Sequence, residues 1–204
     1  MDGKFCLIDM DGTLFDHDAA LRRDMLRLAS TDEIKKYDLE NLGDFHQLEH
    51  LPWMKERIDM IRKQPGWWRN LDRFQLGWDV YELAKATGFC CKILTKGPNK
   101  KPLAWTEKVQ CIQDHFGEEM SIDIVGKDKG GTYGKVLVDD FPKYLLKWLK
   151  HRPRGLAIMP AHSYNADFEH ENVIRYDGNN RTQVGKALRA ALDRQEKQHW
   201  KELL

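Results

Sequence analysis

The stretch Leu7-Ile8-Asp9-Met10-Asp11-Gly12-Thr13-Leu14 decides how the rest of the chain reads. An apolar run, Phe5 to Asp9, ends in two carboxylates two residues apart and then in a glycine. The run is too short for a helix and has no polar face, as expected of a strand buried on both sides of a parallel sheet. Open α/β sheets bind ligands at the carboxyl ends of their strands, so Asp9 and Asp11 are expected to project into a cleft. Residues two apart on a strand point to one side, and a bend at Gly12 lets backbone groups approach as well. Taken alone, Asp-x-Asp-Gly is also an ordinary turn or part of a calcium loop, so the other strand ends have to decide.

Four further segments have the same character: Cys90 to Thr95, Ile122 to Val125, Lys135 to Asp139 and Gly155 to Met159. Helical patterns lie between most of them, Pro102 to Phe116 with Gly117 as its stop, and Lys143 to Lys150. This alternation predicts a doubly wound α/β domain with a Rossmann-type parallel sheet flanked by helices. About eighty residues separate the first two strands, far more than the ~30 of a βαβ unit. The surplus predicts a helical cap over 18–73, with Leu21, Met25 and Leu28 on one face and Met54, Ile58 and Ile61 on another. The α/β core then comprises 1–17 and 74–204, with Gln75 to Ala86 returning the chain to the sheet and ending at Gly88. The last stretch, Thr182 to Leu204, sets Val184, Leu188, Ala191 and Leu192 on one helical face. Its basic side, Lys186, Arg189, Arg194, Lys197 and Lys201, reads as a solvated surface.

Composition narrows the function classes. The 204 residues are 41% hydrophobic and 32% charged, too apolar for a disordered chain. With 33 Lys plus Arg against 32 Asp plus Glu, no broad positive field exists to hold a polyanion nonspecifically, so charge alone gives no argument for nucleic acid, which is not the expected partner. No apolar run reaches the ~18 residues of a membrane span, and the N-terminus lacks a signal peptide's apolar region, so no membrane partner and a cytoplasmic location are expected. Cys6, Cys90, Cys91 and Cys111 are expected to be reduced thiols in the core.

The other strand ends carry chemistry too. Lys92-Ile93-Leu94 runs into Thr95-Lys96-Gly97-Pro98, a hydroxyl, an ammonium and a glycine whose N–H groups are expected to cradle an anion. Val136-Leu137-Val138 runs into Asp139-Asp140. A lone Asp-Asp there would serve as a helix cap, but with Asp9 and Asp11 it makes four carboxylates at one edge. Those would repel one another without a cation, and hard oxygen ligands favour Mg²⁺.

These residues resemble the motifs of the haloacid dehalogenase superfamily of phosphotransferases: Asp9-Met10-Asp11-Gly12-Thr13, Thr95, Lys129 and Asp139-Asp140, in that order. Within it the chain is most similar to the 5′(3′)-deoxyribonucleotidases. That likeness is carried by Pro65-Gly66-Trp67-Trp68-Arg69-Asn70-Leu71, Ile93 to Pro98, Trp105-Thr106-Glu107-Lys108, Gly126-Lys127-Asp128-Lys129 and a late Ala161-His162-Ser163-Tyr164-Asn165 loop. The family's lysine stands ten residues before its acidic pair, as Lys129 does before Asp139. By that spacing Lys127 and Lys135 are surface residues, and Lys108 is expected to face solvent. The chain departs from the family at Trp67-Trp68, where two phenylalanines are usual, at Lys96, where a serine is usual, and at His17, where an aromatic often meets the base.

The resemblance implies phosphate monoester hydrolysis with Asp9 as nucleophile and Asp11 as general acid and base. It also implies Thr95, Lys96 and Lys129 on the phosphate, and Mg²⁺ held by the Asp9 side chain, the Asp11 carbonyl and Asp140, with Asp139 behind them. It makes a small-molecule nucleoside monophosphate the substrate, with His17, Trp67 and Trp68 beside it and Trp53 as a substitute base platform, and it is compatible with a homodimer. Two other readings compete: a phosphatase of polynucleotide 3′-phosphate ends or of a non-nucleotide monoester, and a nucleotide-binding module with a retired site.

Overall fold

The computed structural model describes residues 4–42, 48, 50–98 and 100–194. Six strands, β1 (Phe5–Ile8), β2 (Cys90–Lys96), β3 (Ile122–Val125), β4 (Val136–Val138), β5 (Leu156–Pro160) and β6 (Val173–Tyr176), form one sheet. Their order is β3-β2-β1-β4-β5-β6 and every neighbouring pair is parallel. The connections run outward in opposite directions from β1 and β4, so the switch point of the sheet lies between those two strands. Their register, Ile8 opposite Val138, sets Asp9 beside Asp139, and the Asp9 N–H donates to Val138 O at 2.8 Å.

Alternation along the strands divides the core in two. Cys6, Ile8, Ile93, Val136, Val138 and Ile158 pack with α4 (Gln75–Thr87), α5 (Pro102–Phe116) and α7 (Arg181–Asp193). Leu7, Leu94, Leu137, Ala157 and Met159 pack with α6 (Pro142–His151) on the other face. Local sequence sets the helix ends. Pro102 and Pro142 open α5 and α6, where a missing N–H costs nothing, and Gly88 ends α4 in the left-handed conformation.

The surplus between β1 and α4 holds α1 (His17–Leu28), α2 (Thr31–Tyr37) and α3 (Pro52–Ile61). Asp16 caps α1, and a Ser30–Glu33 capping box opens α2. Buried Leu21, Met25, Met54, Ile58 and Ile61 belong to the same apolar cluster as the first face of the sheet.

Several expectations need correction. Leu28, the last residue of α1, is 48% exposed, whereas Leu21 and Met25 on the same helix are buried. Cys90 is exposed, while Cys6 and Cys111 are buried, and all four thiols are free. Lys135 is buried rather than at the surface: its ammonium donates to the carbonyls of Leu192 and Arg194 at the end of α7, as a cation at a helix C-terminus does. Strand β6 was not foreseen, since Val173-Ile174-Arg175-Tyr176 is short and carries a charge at its centre. Lys186 and Arg189 are exposed as expected; Lys197 and Lys201 lie outside the described residues. Among the described residues no helix is long and apolar enough to cross a membrane.

Candidate active site

The carboxylates after β1 and β4 meet at the switch point. Asp9, Asp139 and Asp140 are buried, and one carboxylate oxygen of each lies within 4.8 Å of the others. Lys129 threads between them, its Nζ 2.6 Å from Asp9 Oδ1 and 2.6 Å from Asp139 Oδ2. Burial works against the Lys129 ammonium, but Asp139 and Asp9 override it and hold its pKa above the ordinary lysine value. Asp140 is held by neutral donors, accepting from Thr13 Oγ1 at 2.8 Å and from the Tyr164 hydroxyl at 2.5 Å. Burial and then the Asp9 charge push Asp140 up to about 7, against the pull of those two hydrogen bonds.

Gly12 makes this closeness feasible. Its φ is +73°, and a Cβ there would come within 2.6 Å of Asp140 Oδ2, so only glycine brings the first acidic loop against the second.

With all three buried carboxylates ionised, one ammonium would leave an excess of two negative charges, and burial together with the neighbouring carboxylates accordingly pushes Asp139 up to about 8 as it does Asp140 to about 7. That excess, in an all-oxygen donor set, is what a hard divalent cation such as Mg²⁺ would neutralise. The residues fit such an ion, since Asp9, Asp139 and Asp140 could each offer it an oxygen.

Asp11 lies outside this cluster. Its Oδ2 pairs with Lys108 Nζ, which also donates to Thr95 Oγ1 at 3.0 Å and sits 4.9 Å from the Trp68 ring centre. Its Oδ1 is buried without a hydrogen-bond partner. Lys108 is thus fully buried in the site and not at the surface. The signal was available: Ala104, Lys108, Cys111 and Ile112 share the buried face of α5, and a lysine at a core position of a helix requires a partner inside. Gly97 also departs from expectation, since its N–H donates to Val125 O at 3.0 Å and cannot serve an anion. A side chain there would collide with Trp105.

A cavity of about 310 Å³ opens above these groups, bordered by Asp9, Asp11, Asp140, His17, Trp68 and Lys96, and by the rings of Phe141, Tyr144 and Tyr164. Thr95, Lys129 and Asp139 are buried next to the acidic part of that lining. Lys96 is exposed, its Nζ 5.7 Å from the Tyr144 ring centre. His17 is buried against Trp67 and Trp68, with Nδ1 3.0 Å from Asp18 Oδ1. Burial first, and then Arg62, lower its pKa below the ordinary histidine value. The two tryptophans separate: Trp68 borders the cavity while its Nε1 donates to Arg62 O, and Trp67 turns into the insert and donates to Asp24. Trp53 stands against Tyr37 and Arg57 and does not border the cavity.

Thr13, His162 and Tyr164 join the site without having been given roles from the sequence. His162 Nε2 lies 2.6 Å from Gly12 O, and its ring stacks between Phe74 and Tyr164.

No protein-family model matches this chain, and no curated protein does. Solved structures do. A haloacid dehalogenase-like hydrolase from Burkholderia xenovorans LB400 superposes with a TM-score of 0.50 at 15% identity, over 95% of this chain and 99% of its own. One from Xanthomonas campestris gives 0.53 at 14% identity, over 94% of each chain. A dehalogenase gives 0.51 at 12% identity, over 91% of this chain and 97% of its own. At so little identity what is shared is the path of the backbone, and by that measure the chain has the fold of the haloacid dehalogenase-like hydrolases.

Proposed function

We propose that this chain is a Mg²⁺-dependent phosphatase that hydrolyses nucleoside monophosphates through an aspartyl-phosphate. The observation that carries the reading is the unequal setting of the two carboxylates after β1. Asp9 lies in the buried triad beside Lys129, whereas Asp11 stands apart on Lys108 with one oxygen unpartnered. Two carboxylates in contrasting environments suit two roles.

In this reading Asp9 attacks phosphorus, and Asp11 in its protonated form gives a proton to the leaving oxygen and then, as a carboxylate, takes one from water. Thr95 and Lys129 hold the nonbridging oxygens, and Lys129 offsets repulsion between Asp9 and the dianion. Lys108, which touches both Asp11 and Thr95, fixes the Asp11 side chain at the edge of the same anion site. Bound at Asp9, Asp140 and the Asp11 carbonyl, Mg²⁺ would neutralise charge on the transferring group. Residues 18–73 act as a cap, with His17 and Trp68 facing the nucleoside. A cavity of about 310 Å³ is at the small end for ligand sites and favours a small molecule over a polynucleotide end.

Phosphate release from dUMP, a 3′-phosphorylated oligonucleotide and p-nitrophenyl phosphate, with and without Mg²⁺, tests this. Mg²⁺-dependent release, fastest from dUMP, is expected. Undiminished activity in EDTA would remove the metal from the reading, and preference for the oligonucleotide would move the substrate to polynucleotide ends.

A further inference from the structure

We propose that Tyr164 is a positioning residue that fixes the Asp140 carboxylate for the metal; the inference rests on the metal site proposed above. The Tyr164 hydroxyl donates to Asp140 Oδ2 at 2.5 Å, opposite the Thr13 hydroxyl on Oδ1. Both carboxylate oxygens are thereby held and the rotation of the group is blocked.

The tyrosine is itself held in place. Its ring stacks on His162 at 4.8 Å, and His162 stacks on Phe74 at 4.5 Å. Since a carbonyl only accepts, His162 Nε2–H donates to Gly12 O, so this loop grips the first acidic loop as well as the second. Asn165 Nδ2 donates to Asp140 O at 2.9 Å, and Arg175 braces the turn through Asn165 Oδ1 and His162 O, each at 3.1 Å. A phenol so constrained, with its hydroxyl on a buried carboxylate that also borders the cavity, orients a ligand group rather than filling space. Partners that orient ligating groups from behind are worth ~10–100-fold in metal affinity.

The test is calorimetric titration of Mg²⁺, and separately Ca²⁺, into the metal-free full chain, comparing wild type, Tyr164→Phe and Asp140→Asn. Mg²⁺ demands near-ideal octahedral ligands, while Ca²⁺ tolerates flexible ones. Tyr164→Phe keeps the stacked ring and removes the hydroxyl. It should weaken Mg²⁺ binding by ~10–100-fold and Ca²⁺ binding by clearly less, so that the ratio of the two affinities shifts. A partly unfolded variant loses both ions in proportion, so an unchanged ratio overturns the proposal even if the variant melts early. Equal Mg²⁺ affinity in wild type and Tyr164→Phe also overturns it and leaves the metal site standing. Failure of wild type to bind Mg²⁺, or undiminished binding by Asp140→Asn, overturns the site itself and the proposal with it.

Discussion

Lys108 condenses the chemistry of the site into one side chain. Its ammonium is fully buried and meets Asp11, Thr95 and the Trp68 face together. Lys108→Met keeps the length and removes the charge. Loss of one electrostatic donor at a reacting centre costs ~10²–10³ in kcat, and a fall of that size on dUMP is expected. Stability should suffer little, because the Asp11 side chain is 25% exposed and water can reach it. Lys127→Met, on an exposed side chain, should leave both kcat and Tm unchanged; a Lys108→Met enzyme of full activity would remove this lysine from the reaction. The comparison also bears on what a sequence reveals. Asp9, Thr95 and Asp140 stand at strand ends and Lys129 is singled out through the family resemblance; the structure sets Asp9, Lys129 and Asp140 close together. Lys108 sits inside a helix, where a lysine is read as solvated unless its apolar neighbours at three and four residues are weighed with it.

At the level of elements, α5 couples the insert to the sheet. Glu107, the neighbour of Lys108, accepts from the Gly66 N–H at 2.6 Å and the Trp68 N–H at 3.1 Å. Lys101 pairs with Asp59 at 2.6 Å, and Asp114 with Arg69 at 2.7 Å. Burial ranks these contacts. Glu107 is 4% exposed, and Glu107→Ala would orphan two N–H groups at about 1–3 kcal/mol each. Arg69 and Asp114 are 45% and 44% exposed, a setting in which ion pairs are worth roughly 0.2–1 kcal/mol. Thermal melts should therefore show a large drop for Glu107→Ala, a smaller one for Glu107→Gln, and little change for Arg69→Ala. If Glu107→Ala melted with wild type, the insert would be held by other contacts. Sequence signals served this helix well: proline at the start, glycine after the end and an apolar stripe gave Pro102–Phe116 as observed. They failed for β6, where an edge strand lacks the continuous apolar run of a central one and Arg175 turns its charge to the Asn165 turn.

For the whole molecule, the acidic cluster sets a pH dependence whose sign follows from Asp140. Its carboxyl rises from an ordinary 3.8 to about 7 in the folded chain, through burial and then the Asp9 charge. Between those values the folded state holds a proton that the unfolded state has released. Metal-free stability is therefore greatest toward the acid end of that window and is lost as pH rises through about 7. In a chain of this size each 1 kcal/mol is worth ~2–4 °C. The Tm of the metal-free protein should fall from pH 5 to pH 8, and Mg²⁺ should raise it more at pH 8 than at pH 5. A metal-free Tm indifferent to pH would show that the cluster carries no such excess charge. The apolar cluster that runs unbroken from Cys6 and Ile8 through Leu21, Met54 and Ile58 to Val80 and Leu188 has a consequence of its own. Residues of the insert and of the sheet share this buried cluster, so the two are expected to melt in one transition. A substitution at a buried insert position such as Met54 is then expected to lower the folded population of the whole chain.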